Sequence, residues 1–139
     1  MTREVAAGPP MVGISGYSHV AIDVDDIGAA RHFYCDLLGF SELDRPDFGF
    51  PGAWLRVGDL QLHLSEIEKM PERTSGFPHF ALYVPTEEFD ETMQALRDSG
   101  VRFLGQPSSR VDFGRVTVLA AFVVDPAGNT IELTDVGPL

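Results

Sequence analysis

One order of elements occurs twice in this chain of 139 residues: strand, helix, three strands, then a polar break and the same order again. Such a repeat constrains the fold more than composition does, because both copies must bury equivalent apolar faces in equivalent ways. In the first copy residues 17–24 alternate, with Val20, Ile22 and Val24 on one face and Tyr17, His19, Ala21 and Asp23 on the other. Asp25 or Asp26 is an N-cap for a helix in which Ile27, Ala30, Phe33, Tyr34 and Leu37 recur at helical spacing, and Gly39 closes it. Residues 40–44, 53–57 and 60–65 read as strands, the last with Gln61, His63 and Ser65 on one face. Residues 66–77 are polar, carry Pro71 and Gly76, and read as a linker.

The second copy starts with residues 78–84, a strand that places His79, Ala81 and Tyr83 on one face. Thr86 is the expected cap of a helix with the apolar stripe Phe89, Met93 and Leu96, ended by Gly100. Residues 101–104 start a strand, 105–112 read as a loop, and 113–124 form a long strand rich in β-formers. Asp125-Pro126-Ala127-Gly128-Asn129 is strong turn chemistry, since Pro presets φ while Gly and Asn tolerate positive φ. The closing strand, 129–134, points Glu132 away from Ile131 and Leu133. A carboxylate on the inner face of a sheet costs several kcal/mol unless a cation or hydrogen bonds compensate it.

The compensation is visible in the repeat. His19, His63, His79 and Glu132 all fall at polar phases of alternating strands, one in the first and one in the last strand of each copy. Three imidazoles and a carboxylate suit one divalent transition metal: zinc, nickel, iron, manganese or cobalt. A single strand histidine is more often a hydrogen-bonded packing residue, but four such residues at duplicated positions favour a metal centre. Gln61 shares the face of His63 and can take its place in the site. The fourth histidine, His32, sits on the first helix beside Phe33 and reads as a surface or packing residue.

Composition adds exclusions. The net charge of −11 argues against nucleic acid and anionic membrane surfaces as partners, while leaving a small anionic ligand open. The single cysteine, Cys35, rules out an internal disulfide framework and fits a reducing, cytoplasmic setting. No apolar run approaches the roughly 20 residues of a membrane helix. Residues 1–15 lack an apolar signal-peptide core and read as a loose tail, leaving 16–137 as one domain with repeats at 16–65 and 78–135.

Several segments together carry a family resemblance: Ser18-His19-Val20-Ala21, Ala29-Ala30-Arg31-His32-Phe33-Tyr34 leading to Leu38-Gly39-Phe40, Gly58-Asp59-Leu60-Gln61-Leu62-His63-Leu64, Pro78-His79-Phe80-Ala81, and Asp125-Pro126-Ala127-Gly128-Asn129-Thr130-Ile131-Glu132-Leu133. Through them the chain resembles the vicinal oxygen chelate superfamily, the glyoxalase, fosfomycin-resistance and extradiol-dioxygenase group. The resemblance implies an α+β fold of two βαβββ modules forming a cupped, mostly antiparallel mixed sheet around one divalent metal. It implies His19, His79 and Glu132 as ligands, His63 as the variable fourth, a small-molecule substrate chelated through vicinal oxygens, and a homodimer. In several such proteins one site is completed by strands from two chains.

The reaction class follows less directly. Glyoxalase-type lyases and isomerases need a base near the metal, and the fourth position is commonly acidic in them. Here it is His63, which either ligates or moves the proton, with Glu132 as the other catalytic candidate. The stretch from Gly52 to Leu60 also resembles the fosfomycin thiol transferases, but Ala21 and the run Leu119-Ala120-Ala121-Phe122-Val123-Val124 lack their hydroxyls. A type I extradiol dioxygenase would use the same His19, His79 and Glu132 face, on a chain generally twice this length. A small-molecule or antibiotic-binding protein without catalysis is the non-enzymatic alternative. Candidate pocket walls are Trp54, Arg56, Gln61, Phe113 and Arg115, with Phe48 and Phe50; Trp54 and Arg56 share a strand face, where stacking and an anion contact can combine.

Overall fold

Each repeat folds into its own four-stranded sheet. The computed structural model describes Gly8 and residues 13–72, 77–113 and 116–138, with strand placement alone for 107–113 and 116–117. The expected tail over 1–15 therefore lies largely outside the described residues, as does Arg115.

In the first module β1 (His19–Val24) leads to α1 (Ile27–Arg31), which continues as a π-wound stretch (His32–Leu37). Strands β2 (Ser41–Leu43), β3 (Gly52–Val57) and β4 (Leu60–Glu66) complete the sheet in the order β1-β4-β3-β2. The second module runs β5 (Phe80–Tyr83), α2 (Phe89–Asp98), β6 (Arg102–Phe113), β7 (Val116–Val124) and β8 (Thr130–Thr134), ordered β5-β8-β7-β6. β1 pairs with β4 and β5 with β8 in parallel, and the other pairs are antiparallel. The α+β architecture of two βαβββ modules is thus present, as two open sheets rather than one continuous sheet.

The repeat extends to register. Ala21 lies opposite His63 and Ala81 opposite Glu132, each alanine two residues after its module's first histidine. Trp54 pairs with His63 in the first sheet, as Phe122 pairs with Glu132 in the second.

The helices form where the sequence places caps and apolar stripes. Asp26 accepts the Ala29 N–H at 3.0 Å, and the Ile27 N–H is taken by Glu66 of β4 at 2.8 Å, so two helix-start donors are satisfied. Gly39, at φ +81°, makes the turn out of the helix. In α2 the expected stripe Phe89, Met93 and Leu96 is buried. Thr86 does not cap it. Its hydroxyl donates to Asp135 at 2.9 Å, a short 3-10 turn (Thr86–Glu88) intervenes, and Glu88 holds the cap position without a side-chain bond.

The expected loop over 105–112 is strand instead. β6 passes through Gly105 (φ +72°) and pairs with β7 on both sides of a register shift between Leu104 and Ser109. Pairing with the long β7 outweighs the local turn composition, as at a β-bulge.

The two sheets are tied by a shared core and by polar bonds across the seam. The core runs from Val24 and Tyr34 of the first module to Phe89, Val123 and Ile131 of the second. Across the seam the Tyr34 hydroxyl donates to Asp125 at 2.7 Å, and the Asn129 amide donates to the Asp23 carbonyl at 2.8 Å. Among the described residues no helix is long and apolar enough to cross a membrane.

Candidate functional site

The four expected ligands form two pairs. His19 and His63 belong to the first sheet, and their rings stack with centroids 3.9 Å apart and planes 16° from parallel. Trp54 stacks on the other face of His63, at 4.3 Å and 8°. His79, one residue before β5, and Glu132 of β8 form the second pair, with Nε2 and Oε2 separated by 3.1 Å. Among the described residues no three His, Cys, Asp or Glu side chains converge closely enough to hold one ion.

The His79–Glu132 pair sets one imidazole nitrogen and one carboxylate oxygen side by side. The His79 Nδ1 lies 2.9 Å from the Phe77 carbonyl oxygen, which can only accept, so Nδ1 carries the hydrogen. In the neutral ring Nε2 then presents a lone pair to a carboxylate oxygen, and two acceptors at this distance require a cation between them: a proton or a metal ion. Fixing the outer nitrogen of a ligand histidine on a backbone carbonyl is the usual support for metal ligation. The donor chemistry therefore fits a divalent ion.

The other pair is arranged differently. The Gln61 carbonyl oxygen lies 2.8 Å from His63 Nε2, so that nitrogen donates and Nδ1 holds the lone pair. Parallel rings 3.9 Å apart direct their in-plane lone pairs side by side, whereas metal–nitrogen bonds of about 2.0–2.1 Å require convergence. As stacked, only one of the two rings can serve a given ion. Burial, then the neighbouring His19 and Arg45, hold the His63 pKa below the ordinary imidazole value.

A cavity of about 570 Å³ opens over this first pair. His19, Gln61 and His63 supply its polar floor, and Trp54, Phe48 and Phe50 its aromatic wall. Arg56 shares the strand face of Trp54 but is exposed and does not line the cavity. Its place is taken by Arg45, from the loop between β2 and β3, which the strand patterns do not single out. The only local signal is composition: Arg45 opens a stretch holding Pro46, Phe48, Gly49, Phe50, Pro51 and Gly52. The side chain of Phe113 and all of Arg115 lie outside the described residues. His32 is exposed and bonds Asp36 at 2.9 Å, away from both pairs.

Comparison with known proteins places this geometry in a family. The chain is 31% identical over 124 residues to a probable lactoylglutathione lyase of Synechocystis, covering 83% of this chain and 91% of that protein. It is 28% identical to the glutathione transferase FosA of Serratia marcescens over 86% of this chain and 80% of that one. The crystal structure of a putative glyoxalase family protein from Bacillus anthracis superposes with a TM-score of 0.71 at 26% identity, covering 90% and 98% of the two chains. The family model described as the Glyoxalase/Bleomycin resistance protein/Dioxygenase superfamily matches residues 16–133. With both βαβββ modules inside that match except the last residue of β8, the chain belongs to the glyoxalase/bleomycin resistance protein/dioxygenase superfamily.

Proposed function

We propose that the protein is a divalent-metal-dependent enzyme of the glyoxalase type, a lyase or isomerase that moves a proton on a small oxygenated substrate. We further propose that it works as a homodimer in which the His19–His63 half of one chain faces the His79–Glu132 half of its partner. The observation that carries this is the separation of the donors into two pairs at equivalent register positions of two open sheets. Among the described residues neither pair gains a third ligand within the chain as folded. When bound, the ion would polarise two neighbouring substrate oxygens and stabilise the negative charge that develops on them.

The chain's own groups move the proton. His63 sits in the cavity with Nε2 tied to Gln61 and its basic Nδ1 left for the substrate. Trp54 holds the ring from one side and His19 from the other. Glu132 is the second acceptor, set by the ring of His79. A binding protein without catalysis is the alternative reading, favoured by the stacking of His19 on His63. Thiol transfer draws on the relatives named for it but lacks hydroxyls along 119–124.

Metal analysis of protein purified without chelator tests the reading, with about one divalent ion per chain expected for two shared sites in a dimer. Absence of any transition metal, together with no binding on titration, would remove the enzyme reading. Shared sites are tested by mixing His19→Ala with Glu132→Gln chains. Each mixed dimer then holds one intact and one doubly damaged centre, so activity should recover to about a quarter of wild type after random exchange. Sites built within single chains would recover none.

A further inference from the structure

One wall of the cavity over His19 and His63 holds a cation with no ionic partner among the described residues. Arg45 is half-buried and its guanidinium carbon lies 5.0 Å from the Phe48 ring centre and 4.9 Å from that of Phe50. Its one hydrogen bond among the described residues is from Nη1 to the Phe50 carbonyl, at 3.2 Å. No described carboxylate comes within ion-pair distance of it, although the chain has 21 acidic residues against 10 basic ones. Among the described residues the cavity lining contains no acidic residue. In so acidic a chain, a described cavity wall with a guanidinium and no carboxylate differs locally in charge from the chain as a whole.

The aromatic groups around Arg45 are equally unused. Phe48 is 52% and Phe50 46% exposed, yet their rings lie 6.2 Å apart at 28°, and Phe48 also meets Trp54 at 6.0 Å. Exposed phenylalanines gathered at a cavity mouth offer a flat, apolar platform. A guanidinium resting on ring faces keeps its N–H edge available, and that edge matches a carboxylate in a bidentate fork. The loop is anchored to the sheet at Gly52: the Arg31 guanidinium donates to its carbonyl at 3.4 Å, and its Cα lies too close to the Leu64 carbonyl to carry a side chain.

We propose that Arg45, Phe48, Phe50 and Trp54 form a subsite for a small carboxylate carrying a flat apolar body, the class of an aromatic acid, held beside His63. This rests on the cavity being the substrate site of the proposed enzyme. It adds that the substrate has an anionic group apart from the oxygens presented to the metal, and that the β2–β3 loop selects it.

Trp54 is the only tryptophan, so its emission reports the subsite directly. The full-length protein, both chelator-treated and metal-loaded, is titrated with benzoate, benzamide and acetate while Trp54 fluorescence is followed. Benzoate should bind about tenfold or more tightly than benzamide, which lacks the charge, and than acetate, which lacks the ring. Arg45→Gln should abolish the preference for benzoate over benzamide, Arg45→Lys should retain part of it, and Phe50→Leu should weaken both aromatic probes. Equal binding of benzoate and benzamide by the wild type, an unchanged preference in Arg45→Gln, or no saturable response to any probe would overturn the proposal. Metal titration of the same samples separates the two readings. A benzoate preference that depends on Arg45, in a protein that binds no metal, sustains the subsite and removes the enzyme reading. Metal binding without that preference does the reverse.

Discussion

Asp125 is 4% exposed, and its carboxylate accepts four hydrogen bonds: from the backbone of Ala127 and Asn129, the side-chain amide of Asn129 and the hydroxyl of Tyr34. A buried carboxylate saturated in this way holds the turn before β8 and so aims Glu132. Burial, then the Asp125 charge, push the Tyr34 phenol far above its ordinary pKa, so it remains a donor wherever the fold survives. Tyr34→Phe removes one of the four bonds and should cost about 1–3 kcal/mol in urea unfolding, with metal affinity nearly unchanged. Cys35 gives a second prediction. Burial, then Glu42 and Asp36, raise its thiol pKa against the opposing effect of Arg31. A raised pKa means less thiolate at a given pH, so alkylation by iodoacetamide at pH 8 should be slower than for free cysteine, and Asp36→Asn should speed it. The turn chemistry of 125–129 was legible from the sequence. The partner of Tyr34 was not, because helical spacing marks it only as one of an apolar stripe and carries no information about a residue 91 positions away.

At the scale of elements, alternation placed His19, His63 and Glu132 on the faces they occupy, because period 2 fixes a side once a strand exists. It failed where pairing overrides composition. Residues 105–112 hold Gly105, Pro107 and two serines, which read as a loop, yet the partner strand β7 keeps them in β6. It also gave Arg56 a place in the pocket wall from parity alone, whereas position along the strand leaves that side chain exposed. Arg45 reaches the cavity by the path of the β2–β3 loop, which no periodicity encodes. Gly52 marks the point where that path is fixed: an added Cβ would lie 2.5 Å from the Leu64 carbonyl oxygen and 2.8 Å from the Arg45 guanidinium. Gly52→Ala should therefore shift the β3–β4 ladder and destabilise by about 1–3 kcal/mol, an overpacking cost. Near-native stability with an unchanged Trp54 emission would show that the strand ends there are free to move.

For the whole molecule, the proposed sharing of the two half-sites between chains implies that metal and partner should stabilise together. A ligand held at a hundredfold excess over its dissociation constant adds about 2.7 kcal/mol to unfolding free energy. Metal should raise the melting temperature of the wild type and leave that of Glu132→Gln almost unmoved; equal shifts would place the ion elsewhere. The bond between Tyr34 and Asp125 has a consequence of another kind, for the order of events on the ribosome. At about 5–20 residues per second, the 91 positions separating donor and acceptor correspond to roughly 5–18 s of synthesis. Synthesis passes β4, which ends at Glu66, within that interval; from then until Asp125 is made the nascent first module has its helix and its strands but no Asp125 to take the phenol. That bond can form only once its own duplicate has been translated as far as Asp125.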